Sequence, residues 1–130
     1  MIEAIAIDTN AAVDYLRPNR AKPESIDHAR RVFLPLPVVG ELLAGALASE
    51  RVAENNARID ELLDRWIVLA PTLETARVYG KLRAASRRVL SLTQSKTNDF
   101  WIALCVQHNL PLLTNDRGFD RVEGLTVIHW

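Results

Sequence analysis

Asp8, Glu41, Asp99 and Asp116 each stand where a hydrophobic segment of this chain stops or is interrupted. Asp8 closes the apolar run Ile2–Ile7, and Glu41 is the only charge between Val32 and Ala48. Asp99 opens Phe100–Val106, and Asp116 follows Leu112–Leu113–Thr114–Asn115. Carboxylates that converge repel one another: at an effective dielectric of about 20, two of them about 4 Å apart cost about 4 kcal/mol. Protonation or a bound cation relieves that cost. An all-oxygen donor set suits Mg²⁺ or Mn²⁺, and the three dispersed histidines and single cysteine make no clustered set for zinc. A hard cation polarises a phosphoryl oxygen and lowers the pKa of water, so the chemistry indicated is phosphodiester hydrolysis.

Each acid has a plainer reading beside this one. Asp8 suits the N-cap of a first helix, Asp99 favours the positive end of a helix, and Asp116 in Asn115–Asp116–Arg117–Gly118 suits a turn. Glu41 resists such a reading, because its apolar surroundings show no obvious solvated face and a buried carboxylate needs a partner. A phosphatase of the haloacid dehalogenase type also places an aspartate after its first strand, with a second two residues later. Here that position is Asn10, which argues against it.

The elements that must position these acids follow from the hydrophobic pattern. Ile2–Ile7 reads as a central strand buried on both faces. Asp8–Thr9–Asn10 supplies capping chemistry for a helix over Ala11–Leu16 that stops before Pro18. Pro23 to Arg31 reads as a short helix, Val32–Leu34 as a strand, and Pro37–Ser49 and Val52–Trp66 as helices. Ile67–Leu69 is a minor strand. Thr72–Arg88 is the most amphipathic helix, with Leu73, Ala76, Tyr79 and Leu82 at helical spacing. Asn98 caps a helix over Asp99–His108, Asn109 suits its end, and Pro111 prevents continuation. Leu112–Thr114 and Thr126–His129 are strands, with a turn over Asn115–Gly118. Strands alternating with helices predict a parallel sheet covered on both faces. Ligands then gather at the carboxyl ends of the strands, where Asp8 and Asp116 both leave theirs.

The chain has 130 residues, enough for one domain over 1–130 with a real core, and shows no internal repeat or linker. Sixteen basic and sixteen acidic side chains cancel, which leaves room for local patches of either sign. Arg83, Arg87, Arg88 and Lys96 flank the segment leading to Asp99 and suit RNA phosphates, or else form a solvated basic helix end. Arg17 and Arg20 follow the first helix, and Arg117 adjoins Asp116. The histidines read as surface or structural residues, Trp66 and Trp101 as core, and Cys105 as a small buried core residue. No apolar run approaches the roughly 20 residues that span a bilayer, and Glu3 and Asp8 break up any signal-like N-terminus. The expectation is a soluble, cytoplasmic protein without membrane attachment.

Four motifs carry a resemblance: strand–Asp8–Thr9–Asn10, Gly40–Glu41–Leu42 with Gly45, Asn98–Asp99 with Ile102–Ala103, and Leu113–Thr114–Asn115–Asp116 with Phe119. Together, in this order, they resemble PIN-domain ribonucleases, specifically VapC-type toxins of toxin–antitoxin pairs, over essentially the whole chain. The resemblance implies a three-layer α/β/α sandwich around a mainly parallel sheet and an Mg²⁺- or Mn²⁺-dependent endoribonuclease. It implies Asp8 and Asp99 as principal metal ligands, with Glu41 and Asp116 ligating directly or through water and orienting the attacking water. Thr9, Asn10 and Thr114 match supporting polar positions. It also implies an RNA substrate, a cognate antitoxin, and a homodimer built in part from the Val52–Trp66 and Thr72–Arg88 helices. The chain departs from the pattern at Val38, where many relatives carry Ser or Thr, and at Gly118, where many carry a further acid that Asp120 would have to replace. A non-catalytic protein-binding module of the same fold, with the acids as caps, is the alternative.

Overall fold

A computed structural model describes residues 2–17, 23–88 and 100–130, and side chains at all of these except 86–88 and 100. Five strands, β1 (Ile2–Ile7), β2 (Ala29–Pro35), β3 (Ile67–Leu69), β4 (Leu112–Thr114) and β5 (Val127–His129), form one sheet in the order β3-β2-β1-β4-β5. Every pairing is parallel. The described helices are α1 (Thr9–Leu16), α2 (Glu24–Asp27), α3 (Leu36–Leu47), α4 (Val52–Arg65), α5 (Leu73–Arg88) and α6 (Phe100–Gln107), with a 3₁₀ turn at Arg117–Arg121. The chain moves outward from β1 to β2 and β3, then returns to the other side of β1 for β4 and β5. Right-handed crossovers therefore put α1, α3 and α4 on one face and α5 and α6 on the other, the α/β/α sandwich expected. The reversal of strand order falls between β1 and β4, the place where open α/β sheets bind ligands at the carboxyl ends of their strands.

The core sits on and beside the two middle strands. Ile5, Ile7, Leu112 and Leu113 are fully buried, as are Leu34 of β2, Leu62 of α4 and Ile102 and Leu104 of α6. Burial along β1 rises toward its carboxyl end, so the strand is tightly held where it delivers Asp8. Helix α6 ends as its sequence requires. Asn109 takes a left-handed φ of 52°, and the Asn109 and Leu110 amides close back on the Val106 and Cys105 carbonyls. That Schellman arrangement turns the chain into Pro111 and β4. Trp66 and Trp101 are buried, and Cys105 is wholly so.

One element differs from the sequence pattern. The helix expected from Pro23 to Arg31 is a single turn, Glu24–Asp27, and β2 starts at Ala29 rather than Val32. Pairing decides this: Ile2 stands opposite Ala29 and Ala4 opposite Arg31. Extended backbone there gains a ladder with β1, and tertiary context outweighs a weak local helix preference. Among the described residues, no helix is long and apolar enough to cross a membrane.

Candidate metal centre at the switch of strand order

Asp8 lies at the carboxyl end of β1 and is 5% exposed. Its Oδ1 accepts the Ala11 amide at 2.8 Å, capping α1. Its Oδ2 accepts the Thr114 hydroxyl at 2.6 Å, from the end of β4. The cap and the site are thus the same carboxylate used on two sides. Burial pushes the Asp8 carboxyl above its ordinary value; the Thr114 and Ala11 bonds pull it back, and the charges of Asp116 and Glu41 raise it again. Those two acids therefore face Asp8 closely enough to be felt.

Asp116 arrives through the turn after β4. Its amide donates to Thr114 Oγ1 at 3.1 Å, and its Oδ1 accepts the Gly118 amide at 2.8 Å, capping the 3₁₀ turn. Phe119 anchors this turn by an edge contact with Trp101, ring centres 5.5 Å apart, so the turn rests on the first part of α6. Glu41, in the second turn of α3, departs from expectation. It is exposed rather than buried, and its Oε2 accepts the Thr9 hydroxyl at 2.7 Å. The small residues around it account for the difference: Gly40, Ala44 and Gly45 are themselves exposed, so this face of α3 is apolar in composition yet open to solvent. Val38 is fully buried, and the hydroxyl that meets Glu41 comes from Thr9 instead.

The Thr9 and Thr114 hydroxyls each donate to an acid, while Asn10 is exposed on α1. Asp99 and Lys96 lie outside the described residues, as do the side chains of Arg87 and Arg88; Arg83 is half-buried on α5. Among the described residues, no three potential ligands already form an ion cage. The donor set nonetheless fits a hard divalent cation that keeps part of its water shell. All its atoms are carboxylate or hydroxyl oxygens, and Asp8 is a buried carboxylate bonded to the Thr114 hydroxyl and the Ala11 amide. Asp8, Glu41 and Asp116 are the described residues that would hold it. Asp120, the residue that would have to stand in for the acid missing at Gly118, has its Oδ1 2.7 Å from His129 Nε2. The sequence reads His129 as a surface or structural residue; its place opposite Thr114 follows only from the register of β5 on β4.

Comparison with solved structures finds the same architecture in several complexes. VapBC2 from Rickettsia felis, bound to a DNA fragment from its promoter, superposes with a TM-score of 0.81 at 20% identity, covering 98% of this chain and 99% of that one. DNA-bound VapBC from Salmonella typhimurium gives 0.81 at 23% identity over 100% and 99%. VapBC-1 from nontypeable Haemophilus influenzae gives 0.79 at 22% over 98% of each chain. No curated protein matches the chain in sequence. The profile of the PIN domain matches residues 5–125, nearly the whole length, and the chain therefore belongs to the PIN domain family.

Proposed function

We propose that this PIN domain is a metal-dependent endoribonuclease and the toxin of a toxin–antitoxin pair. The observation that carries the reading is Asp8: a buried carboxylate at the switch of strand order, held by the Thr114 hydroxyl that also accepts the Asp116 amide. A bound Mg²⁺ or Mn²⁺ would supply Lewis acidity and activate water for attack on a phosphodiester. The chain's own residues hold that chemistry in place. Thr114 and the α1 amide fix the Asp8 carboxylate, Thr9 fixes Glu41, and the 3₁₀ turn fixes Asp116. Asp99, immediately before α6 in sequence, is the expected fourth acid. Arg83, Arg87, Arg88 and Lys96 are the candidate contacts to RNA phosphates.

The partner reading rests on two supports. The similar solved structures are VapBC assemblies, and one from Mycobacterium tuberculosis is described as a toxin–antitoxin system. In this chain, a groove of about 350 Å³ runs beside Glu41, with Leu16, Leu42 and Ile59 among its apolar lining and Arg17 and Arg58 at its polar part. Its shape suits an amphipathic antitoxin segment. A homodimer and a larger toxin–antitoxin assembly in the cytoplasm complete the reading.

Purified protein with Mg²⁺ or Mn²⁺ should cleave RNA, and EDTA, Asp8→Ala or Asp99→Ala should each abolish cleavage. Cleavage that survives all three overturns the assignment. The rival, a non-catalytic binding module, draws on the capping bonds that Asp8 and Asp116 both make. Calorimetric titration showing no Mn²⁺ binding at millimolar metal would favour it.

A further inference from the structure

One imidazole lies against both ends of the segment that presents Asp116. His129 stands opposite Thr114 in the parallel pairing of β4 and β5. Its Nδ1 is 3.1 Å from the Thr114 carbonyl oxygen, and its Nε2 is 2.7 Å from Asp120 Oδ1. Thr114 is the last residue of β4 and Asp120 belongs to the 3₁₀ turn, so Asp116 lies on the segment between the two anchor points. Both partners are acceptors, so a ring nitrogen that carries a hydrogen donates to the one it faces.

The same segment is tied on its inner side to the acidic site. Thr114 shows its carbonyl to His129 and its hydroxyl to Asp8, and that hydroxyl also accepts the Asp116 amide. A shift of the ring therefore reaches Asp116 through Asp120 and reaches Asp8 through Thr114. Docking of β5 does not depend on the ring. Backbone pairing joins β4 to β5 at Leu112–Val127 and Leu113–Ile128, and the Leu112 amide donates to the Thr126 carbonyl at 2.8 Å. The His129 and Asp120 side chains are 26% and 42% exposed, and a pair so open to solvent adds little to stability. What it adds is geometry.

We propose that His129, braced by Asp120, is a positioning residue that sets the placement of Asp116 relative to Asp8. This rests on the acidic-site reading above. Neither His129 nor Asp120 needs to touch substrate or metal for the role.

The full-length chain carries the test, with His129→Ala, His129→Gln and Asp120→Asn compared in native and Asp116→Asn backgrounds. His129→Ala should weaken Mn²⁺ binding by about tenfold in calorimetry. It should lower kcat for RNA by a similar factor with little change in KM. In metal-free protein it should speed amide hydrogen exchange at Asp116 and Gly118 while moving the unfolding midpoint by no more than about 2 °C. His129→Gln, whose amide can still donate toward Asp120, should recover part of the loss, and Asp120→Asn should lose less than His129→Ala. In the Asp116→Asn background, the effect of His129→Ala on Mn²⁺ affinity should shrink. Native Mn²⁺ affinity and exchange rates in both His129→Ala and Asp120→Asn overturn the positioning role, as does an undiminished effect in the Asp116→Asn background. Wild-type protein that neither binds Mn²⁺ nor cuts RNA overturns the site reading and the positioning role together. Wild-type protein that does both, beside silent variants, overturns the positioning role alone.

Discussion

The Thr114 hydroxyl donates to Asp8 Oδ2 at 2.6 Å, joining the carboxyl ends of β1 and β4 where the strand order reverses. Both residues are buried. The bond is charge-assisted when Asp8 is ionised and is worth about 1.5–3 kcal/mol. Thr114→Val keeps the shape, removes the donor, and also leaves the Asp116 amide without its acceptor. It should destabilise the protein by about 2 kcal/mol and weaken Mn²⁺ binding about tenfold. Thr114→Ser should keep most of both. Denaturant midpoints and calorimetry measure the two effects, and a Val variant with native metal affinity would show that Thr114 serves only the fold.

The raised Asp8 carboxyl makes metal-free stability depend on pH in a definite direction. Between the ordinary aspartate value and the raised folded value, the folded chain holds a proton on Asp8 that the unfolded chain has released. Stability from this group is therefore full below that window and is lost as pH rises through it. Asp8→Asn, which cannot ionise, should remove that fall and leave the metal-free protein more stable than wild type at neutral pH. Mn²⁺ favours the ionised form, so it should stabilise wild type more as pH rises and should do little for Asp8→Asn. Urea midpoints across pH, with and without Mn²⁺, read both effects. Identical pH slopes in wild type and Asp8→Asn would remove Asp8 as their source.

Much of this site was legible because strand ends and helix starts announce themselves. An apolar run of strand length stopping at Asp8, and another stopping before Asp116, place two acids on one rim of any parallel sheet. The capping role of Asp8 was legible for the same reason, since its carboxylate sits just before a helical pattern. Three features were not. The strand over Ala29–Arg31 exists because of β1, a partner distant in sequence. The exposure of Glu41 depends on small neighbours that composition counts as apolar. His129 acquires its partners from strand register, which no local pattern encodes.

Glu41 and Thr9 separate chemistry from stability. Their bond is on an exposed surface, so Glu41→Gln should shift stability by no more than about 0.5 kcal/mol. If Glu41 serves the reaction, the same change should lower kcat for RNA by about a hundredfold or more, as loss of groups acting on proton or charge transfer does. Thr9→Val should reproduce a smaller part of that loss, and Thr9→Ser should restore it. Full activity in Glu41→Gln would assign Glu41 to the surface of α3 alone.

Cys105 offers a measure of metal binding that does not depend on catalysis. It lies in α6 with no exposed surface, and burial pushes its thiol up to about 12. The thiolate is the reactive form, so the native chain should resist a thiol reagent at neutral pH and react only through opening of the core. When opening and closing are fast relative to labelling, the labelling rate follows the population of the open state. A ligand that binds only the folded state lowers that population, by about 2.7 kcal/mol at a hundred times its Kd, or about a hundredfold. Saturating Mn²⁺ should therefore slow Cys105 labelling by about that factor in wild type and leave the rate nearly unchanged in Asp8→Asn. Rapid labelling of the native chain would place Cys105 outside a closed core, and equal slowing in both proteins would place the metal somewhere other than Asp8.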